Sequence, residues 1–209
     1  GAFRSPRGFP NNMKRTFLFS ALLLAAATII VSKTARKETV GPLPDGGFLL
    51  VSGWKIQAAG RQVPVDTFPM SAVESRDGRY LLVLNGGYRP PSVSVLDTKE
   101  MKETARVPVK DGWLGLAMSP KGDTVWVGGG QQGTVIELAF RDGALTEKRT
   151  LEVSKEPKTF IGDVALSPDG RSLYATRLYH DSLARLDLES GRVAETIPTG
   201  RRPYREVFN

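Results

Sequence analysis

From Val40 to Asn209 the apolar residues fall in short runs separated by polar turns, without the three-to-four spacing of a long amphipathic helix. Three stretches share one pattern: Val73–Val83, Ala117–Val127 and Ala165–Ala175. Each begins with a brief apolar strand and then turns on a polar quartet. The quartets are Ser75-Arg-Asp-Gly78, Ser119-Pro-Lys-Gly122 and Ser167-Pro-Asp-Gly170. A second strand rich in β-branched and aromatic residues follows. Gly78, Gly122 and Gly170 stand where a tight hairpin needs positive φ. The marker serines Ser75, Ser119 and Ser167 recur at nearly even intervals, within the range of roughly 40 to 50 residues that marks a propeller blade. A third strand comes next in each unit, at Val93–Asp97, Val135–Leu138 and Leu183–Asp187. A fourth ends near Val109, Val153 or Ile197.

Four short strands per unit of this length predict an all-β fold, a β-propeller of four-stranded blades. The blades are expected at about 70–109, 110–153 and 154–200, inside a propeller region spanning 40–209. Phe48–Ile56 and Gln62–Asp66 are expected to be strands of a further, shared blade. The segment 201–209 is expected to open the next one. Three full blades with partial ones at each end fall short of a closed ring. The expectation is therefore a truncated propeller, seven-bladed in its full length.

The beginning of the chain has a different texture. Met13-Lys14-Arg15 precedes Phe17–Val31, an apolar run broken only by Ser20 and Thr28. A basic start followed by an apolar run of this length reads as a secretory signal. Residues 13–33 are thus assigned as a signal peptide or an N-terminal anchor, and 1–12 as an upstream extension outside the fold. Ala25-Ala26-Ala27 offers small residues for cleavage. The apolar stretch continues past them, and about 20 apolar residues are normally needed to span a bilayer. The expected location is periplasmic or secreted, with membrane contact only through an uncleaved 13–33.

The formal net charge of +7 comes mostly from the same end. Arg4, Arg7, Lys14, Arg15 and Lys33 face no acid before Thr34, which leaves 24 basic against 22 acidic residues in the remainder. That remainder lacks the field expected of a nucleic-acid binder. The chain has no cysteine, which excludes a disulfide framework, a thiol nucleophile and Cys-ligated zinc.

Candidate chemistry is sparse. Gly128-Gly-Gly-Gln-Gln-Gly133 has the spacing of a dinucleotide loop, but Thr134–Leu138 after it reads as a strand and not as the required helix. His180 is the only histidine. A Ser-His-Asp triad is arithmetically open, but no G-x-S-x-G elbow supports it, so His180 reads as a loop residue. Asp77, Asp97, Asp169 and Asp187 recur with the repeat and are expected to serve turns and strand ends. Trp54, Trp113 and Trp126 are expected to pack between blades. Arg201, Arg202 and Arg205 read as a solvated inter-blade loop. No catalytic set, metal set or cofactor is expected. Tyr88, Arg89, Tyr179 and His180, in the longer inter-strand loops, are the candidate ligand contacts.

The Ser-Pro-Asp-Gly-Arg-x-Leu-Tyr units resemble the YVTN repeats of YncE-like bacterial propellers. Asn85–Asp97, Gly128–Gly130, Phe160–Gly170 and Thr199–Tyr204 are similar to a subgroup in which an alkaline-phosphatase-like phosphoesterase domain follows the propeller. The resemblance implies a non-catalytic binding or scaffold module outside the cytoplasm, whose partner is a protein, a glycan or a small molecule on a propeller face. The alternative is part of an enzyme, either a lactonase-like propeller or a phosphoesterase in the full-length protein.

Overall fold

The computed structural model describes residues 39–206, so the expected export segment at 13–33 and the extension at 1–12 lie outside the described residues. The chain divides into two compact units, Gly1–Ala59 and Gly60–Asn209.

In the first unit, β1 (Gly41–Pro42), β2 (Phe48–Leu49) and β3 (Lys55–Ile56) form a small antiparallel sheet in that order. This corrects the reading of Phe48–Ile56 as one strand. Gly53, at φ 81°, lets the chain double back, and Leu50 N–H donates to Trp54 C=O at 2.9 Å. Trp54 is largely exposed rather than packed between blades.

The stretch Gln62–Asp66 of the second unit forms no strand; Pro64 has no N–H to give a ladder. Its three blades are four-stranded antiparallel sheets, each in chain order. The first holds β4 (Pro69–Glu74), β5 (Tyr80–Asn85), β6 (Ser92–Asp97) and β7 (Lys102–Pro108). Next come β8 (Leu116–Met118), β9 (Thr124–Gly128), β10 (Thr134–Arg141) and β11 (Ala144–Glu152). The third holds β12 (Ile161–Leu166), β13 (Ser172–Arg177), β14 (Ser182–Asp187) and β15 (Arg192–Pro198). The all-β, bladed architecture read from the repeat is therefore present.

Burial follows strand position. The middle strands are largely enclosed, whereas β7 alternates as a strand with one face in water and β11 and β15 are exposed along most of their length. Leu82, Leu84, Val93, Val95, Val125, Val127 and Leu138 pack the first blade onto the second. Trp126, Val135, Ile161, Leu173 and Leu186 pack the second onto the third. Enclosing one such leucine contributes about 1.5–3 kcal/mol. On β10, next to the outer strand, burial alone would raise the Glu137 carboxyl. Lys148 and Arg149 grip both its oxygens and hold it below the usual range.

The marker serines knot the first hairpin of every blade. Ser75 Oγ donates to Asp77 and accepts from Tyr80 N–H, and Ser167 does the same with Asp169 and Ser172. In the second blade Lys121 replaces the acid, and Asp123, beyond the glycine, takes the serine hydroxyl instead at 2.9 Å. These bonds hold the carboxyls of Asp77, Asp123 and Asp169 below their ordinary value. Asp97 and Asp187 close the turns after the third strands through backbone N–H groups. The recurring carboxylates thus do serve the blade.

The first strand of the third blade lies against the second blade at very short range. Leu114 and Gly115 N–H both donate to Gly162 C=O, and Ile161 N–H donates to Gly130 C=O at 2.8 Å. A Cβ on Gly115 would stand 2.9 Å from the Val164 nitrogen. Glycine is needed here for close approach. Asp111 meets the same seam, accepting from Gln131 N–H at 2.7 Å. Gly128–Gly133 is therefore an inter-strand turn between β9 and β10, as its flanks suggested.

Candidate functional site

Antiparallel order brings two sets of loops to one end of the blades: those joining second to third strands, and those leading into each new blade. All four candidate contact residues lie at this end, but they do not form one site. Tyr88 projects fully into solvent. Beside it, Arg89 N–H donates to Thr67 Oγ1 at 3.3 Å, and its guanidinium lies 3.7 Å from Asp66. Tyr179 instead lines a cleft at the seam of the second and third blades, and His180 contacts two of that cleft's lining residues, Glu156 and Thr159.

This cleft has a volume of about 530 Å³ and is lined by Gln131, Glu156, Lys158, Thr159, Phe160 and Tyr179. Its apolar wall is formed by Phe160 and Tyr179, which continue a row of edge-to-face rings from Trp113. Trp113 meets Phe160 at 5.6 Å between centroids, and Phe160 meets Tyr179 at 5.9 Å. Tyr179 stays about half exposed and offers a free ring surface. Trp113 therefore stacks in the loop before β8, while Trp126 is the tryptophan buried between blades.

The polar wall is the turn Glu156-Pro157-Lys158-Thr159, closed by Thr159 N–H donating to Glu156 C=O at 3.2 Å. Lys158 stands at φ 61°, a left-handed backbone that costs a side chain roughly 1–2 kcal/mol. Around this turn a polar network converges. Arg177, the last residue of β13 and nearly enclosed, sets Nη2 2.8 Å from Glu156 Oε2 and 3.3 Å from Ser154 Oγ. His180 Nδ1 lies 3.2 Å from the same Glu156 oxygen, and its Nε2 lies 3.4 Å from Thr159 Oγ1. Thr159 is itself buried, and its hydroxyl also lies 3.1 Å from Ser154 Oγ.

Tyr179 and His180 stand out in the sequence, whereas the groups that hold them do not. Arg177 left one usable signal, a charge at the end of the otherwise apolar strand Ser172–Arg177. Glu156 and Thr159 left none, because in sequence they are ordinary turn residues more than twenty positions from the imidazole.

A second polar feature lies on the innermost strands, in a groove of about 440 Å³ lined in part by Val73, Leu116, Val164, Asp163, Arg205 and Glu206. Burial raises the Asp163 carboxyl, with Arg205 Nε at 3.6 Å opposing the shift. Burial, and then the Asp163 charge, push Glu206 up to about 8, and both its carboxyl oxygens are enclosed without a partner. Arg201 and Arg202 remain exposed, while Arg205 is drawn to Asp163. Among the described residues no group of three or more His, Cys, Asp or Glu side chains is placed to hold a metal ion. No described helix is long and apolar enough to cross a membrane.

The family model described as Lactonase, 7-bladed beta-propeller matches residues 71–203, from the first strand of the first blade to the loop after the third. The chain belongs to this Lactonase family. No curated protein matches the sequence. Among solved structures, Kuenenia stuttgartiensis hydrazine synthase is 26% identical with a TM-score of 0.57, over 72% of this chain and 42% of that one. A putative 6-phosphogluconolactonase from Bacteroides uniformis is 22% identical with a TM-score of 0.56, over 76% and 52%. Another from Bacteroides fragilis is 20% identical with a TM-score of 0.55, over 78% and 53%. This Lactonase-family chain thus spans about half the length of these structures. The likeness to the two Bacteroides proteins is one of fold.

Proposed function

We propose that this chain is the ligand-recognition part of an exported Lactonase-family propeller, and that it binds a small molecule in the cleft between its second and third blades. The observation that carries this reading is the cleft itself, with an aromatic wall facing a short row of fixed polar groups. Small-molecule sites combine apolar lining with a few oriented polar atoms in this way. Tyr179 supplies contact area with little rotamer freedom to lose. Gln131, Glu156 and Lys158 supply orientation. Ligand-observed NMR with a fragment set, repeated on Tyr179→Ala, tests the site. Binders whose signal weakens in the variant support it; fragments that bind both proteins equally refute it.

Export belongs to the same proposal and rests on Met13–Val31. A fusion of residues 13–45 to a reporter active only outside the cytoplasm is expected to give signal, and activity confined to the cytoplasm counts against it. The YncE-like subgroup, with a phosphoesterase domain farther along the same polypeptide, is the finer reading of the Asn85–Asp97 and Thr199–Tyr204 stretches. It places hydrolysis of phosphate esters outside this chain. A lactonase-type enzyme is the rival, and the family match is the observation that favours it.

A further inference from the structure

We propose that Thr159, His180 and Glu156 form an acyl-transfer site that cleaves a carboxylic ester bound in the seam cleft. This goes beyond recognition, and it rests on that cleft being a ligand site. The three groups occur in the order such chemistry needs: a hydroxyl 3.4 Å from one imidazole nitrogen, and a carboxylate 3.2 Å from the other. Nucleophile–base contacts of this kind are often loose before substrate arrives. The constellation is recognised by geometry and roles rather than by sequence order.

Further observations support it. Glu156 and Thr159 are the two ends of a single turn, so one local structure sets both partners of the His180 ring. That turn places a lysine, not a glycine, in left-handed backbone immediately before the hydroxyl residue. Arg177, itself nearly enclosed, clamps the Glu156 carboxylate and so fixes it against the imidazole. Both Glu156 and Thr159 line the cleft, together with Lys158 and Gln131, whose side-chain N–H groups can serve an oxyanion.

In the first half-reaction Thr159 Oγ attacks the ester carbonyl carbon while His180 Nε2 takes the hydroxyl proton. The tetrahedral intermediate collapses, the C–O bond to the alcohol breaks, and His180 returns the proton to the departing alkoxide oxygen. In the second, His180 deprotonates a water that attacks the acyl-threonine. The carboxylic acid leaves and the threonine hydroxyl is restored. Glu156 holds the Nδ1–H tautomer and stabilises the imidazolium formed in each half.

The test uses the full chain with p-nitrophenyl acetate and p-nitrophenyl butyrate, measured as sustained turnover beyond one equivalent. Turnover above buffer is expected. It should fall about a hundredfold or more in His180→Ala and in Thr159→Val, and persist in Thr159→Ser, which keeps the hydroxyl. A fluorophosphonate is expected to leave its mass on the peptide containing Thr159 only when His180 is intact. Matching melting temperatures confirm that the variants fold. Turnover no higher than buffer, or turnover unaffected by Thr159→Val or by His180→Ala, overturns the proposal. Fragment binding that depends on Tyr179 but comes with no turnover leaves the recognition site standing and removes only the chemistry.

Discussion

Removing the two ends of the Glu156–Arg177 contact should have unequal consequences. Arg177 keeps only 8% of its side-chain surface in water, whereas Glu156 keeps 59%. The guanidinium therefore carries most of the desolvation cost. It makes its bonds to Glu156 and Ser154, while its Nε is enclosed with no partner. Glu156→Gln leaves that cation buried beside a hydroxyl and a neutral amide. Breaking a buried ion pair from one side costs about 3–5 kcal/mol. Because the Glu156 side of this contact is open to water, about 2–3 kcal/mol is expected here. Arg177→Met removes the buried charge, fills much of the same volume and leaves Glu156 solvated, so its net effect is expected to stay within about 1 kcal/mol. Urea denaturation followed by tryptophan fluorescence measures both variants. With a slope of about 2 kcal/mol per molar urea, Glu156→Gln should lower the midpoint by about 1 M while Arg177→Met barely moves it. If Arg177→Met costs as much as Glu156→Gln, desolvation does not govern this contact and the reasoning fails.

Glu206 gives a pH-dependent prediction. Its carboxyl is pushed up to about 8 in the folded chain from an ordinary 4.5, so between those values the folded state binds a proton that the unfolded state has released. The associated stability is complete below pH 4.5 and is lost as pH rises through about 8, by on the order of a few kcal/mol. Glu206→Gln is expected to melt higher than the parent at pH 9 and to match it at pH 4; equal melting at both would remove the buried-acid account. The innermost seam gives another test: Gly115→Val drives a side chain into the Val164 backbone, at an expected cost of about 1–3 kcal/mol. An unchanged melting temperature would show that the two blades can part there without penalty.

The blades were legible because each repeats a local signal: a hairpin turn, a serine that bonds within its own turn, and a strand alternating between core and water. Signals of that kind are local in the chain and need no partner elsewhere. The segment 48–56 was misread for the opposite reason. It is apolar enough for a strand, yet Gly53 folds it back on itself, and no second copy of the pattern exposes the turn. The seam cleft was only half legible. Tyr179 and His180 stood out by residue type, but the imidazole takes its meaning from Glu156 and Thr159, brought to it by the packing of one blade against the next. Asp163 drew no reading from the sequence, because its partner Arg205 arrives from the loop after β15.

The second blade's hairpin shows what drift the fold tolerates. There the acid has moved from before the glycine to after it, and the serine hydroxyl simply donates to Asp123 in place of the missing carboxylate at 121. A turn specified by reach rather than by a fixed string can change letter by letter without passing through a broken intermediate, provided one acid is gained before the other is lost. Blades of common ancestry can then diverge until no shared quartet survives while their backbones still superpose. Comparing the hydroxyl-to-carboxylate contact from blade to blade would expose such kinship where matching the letters does not.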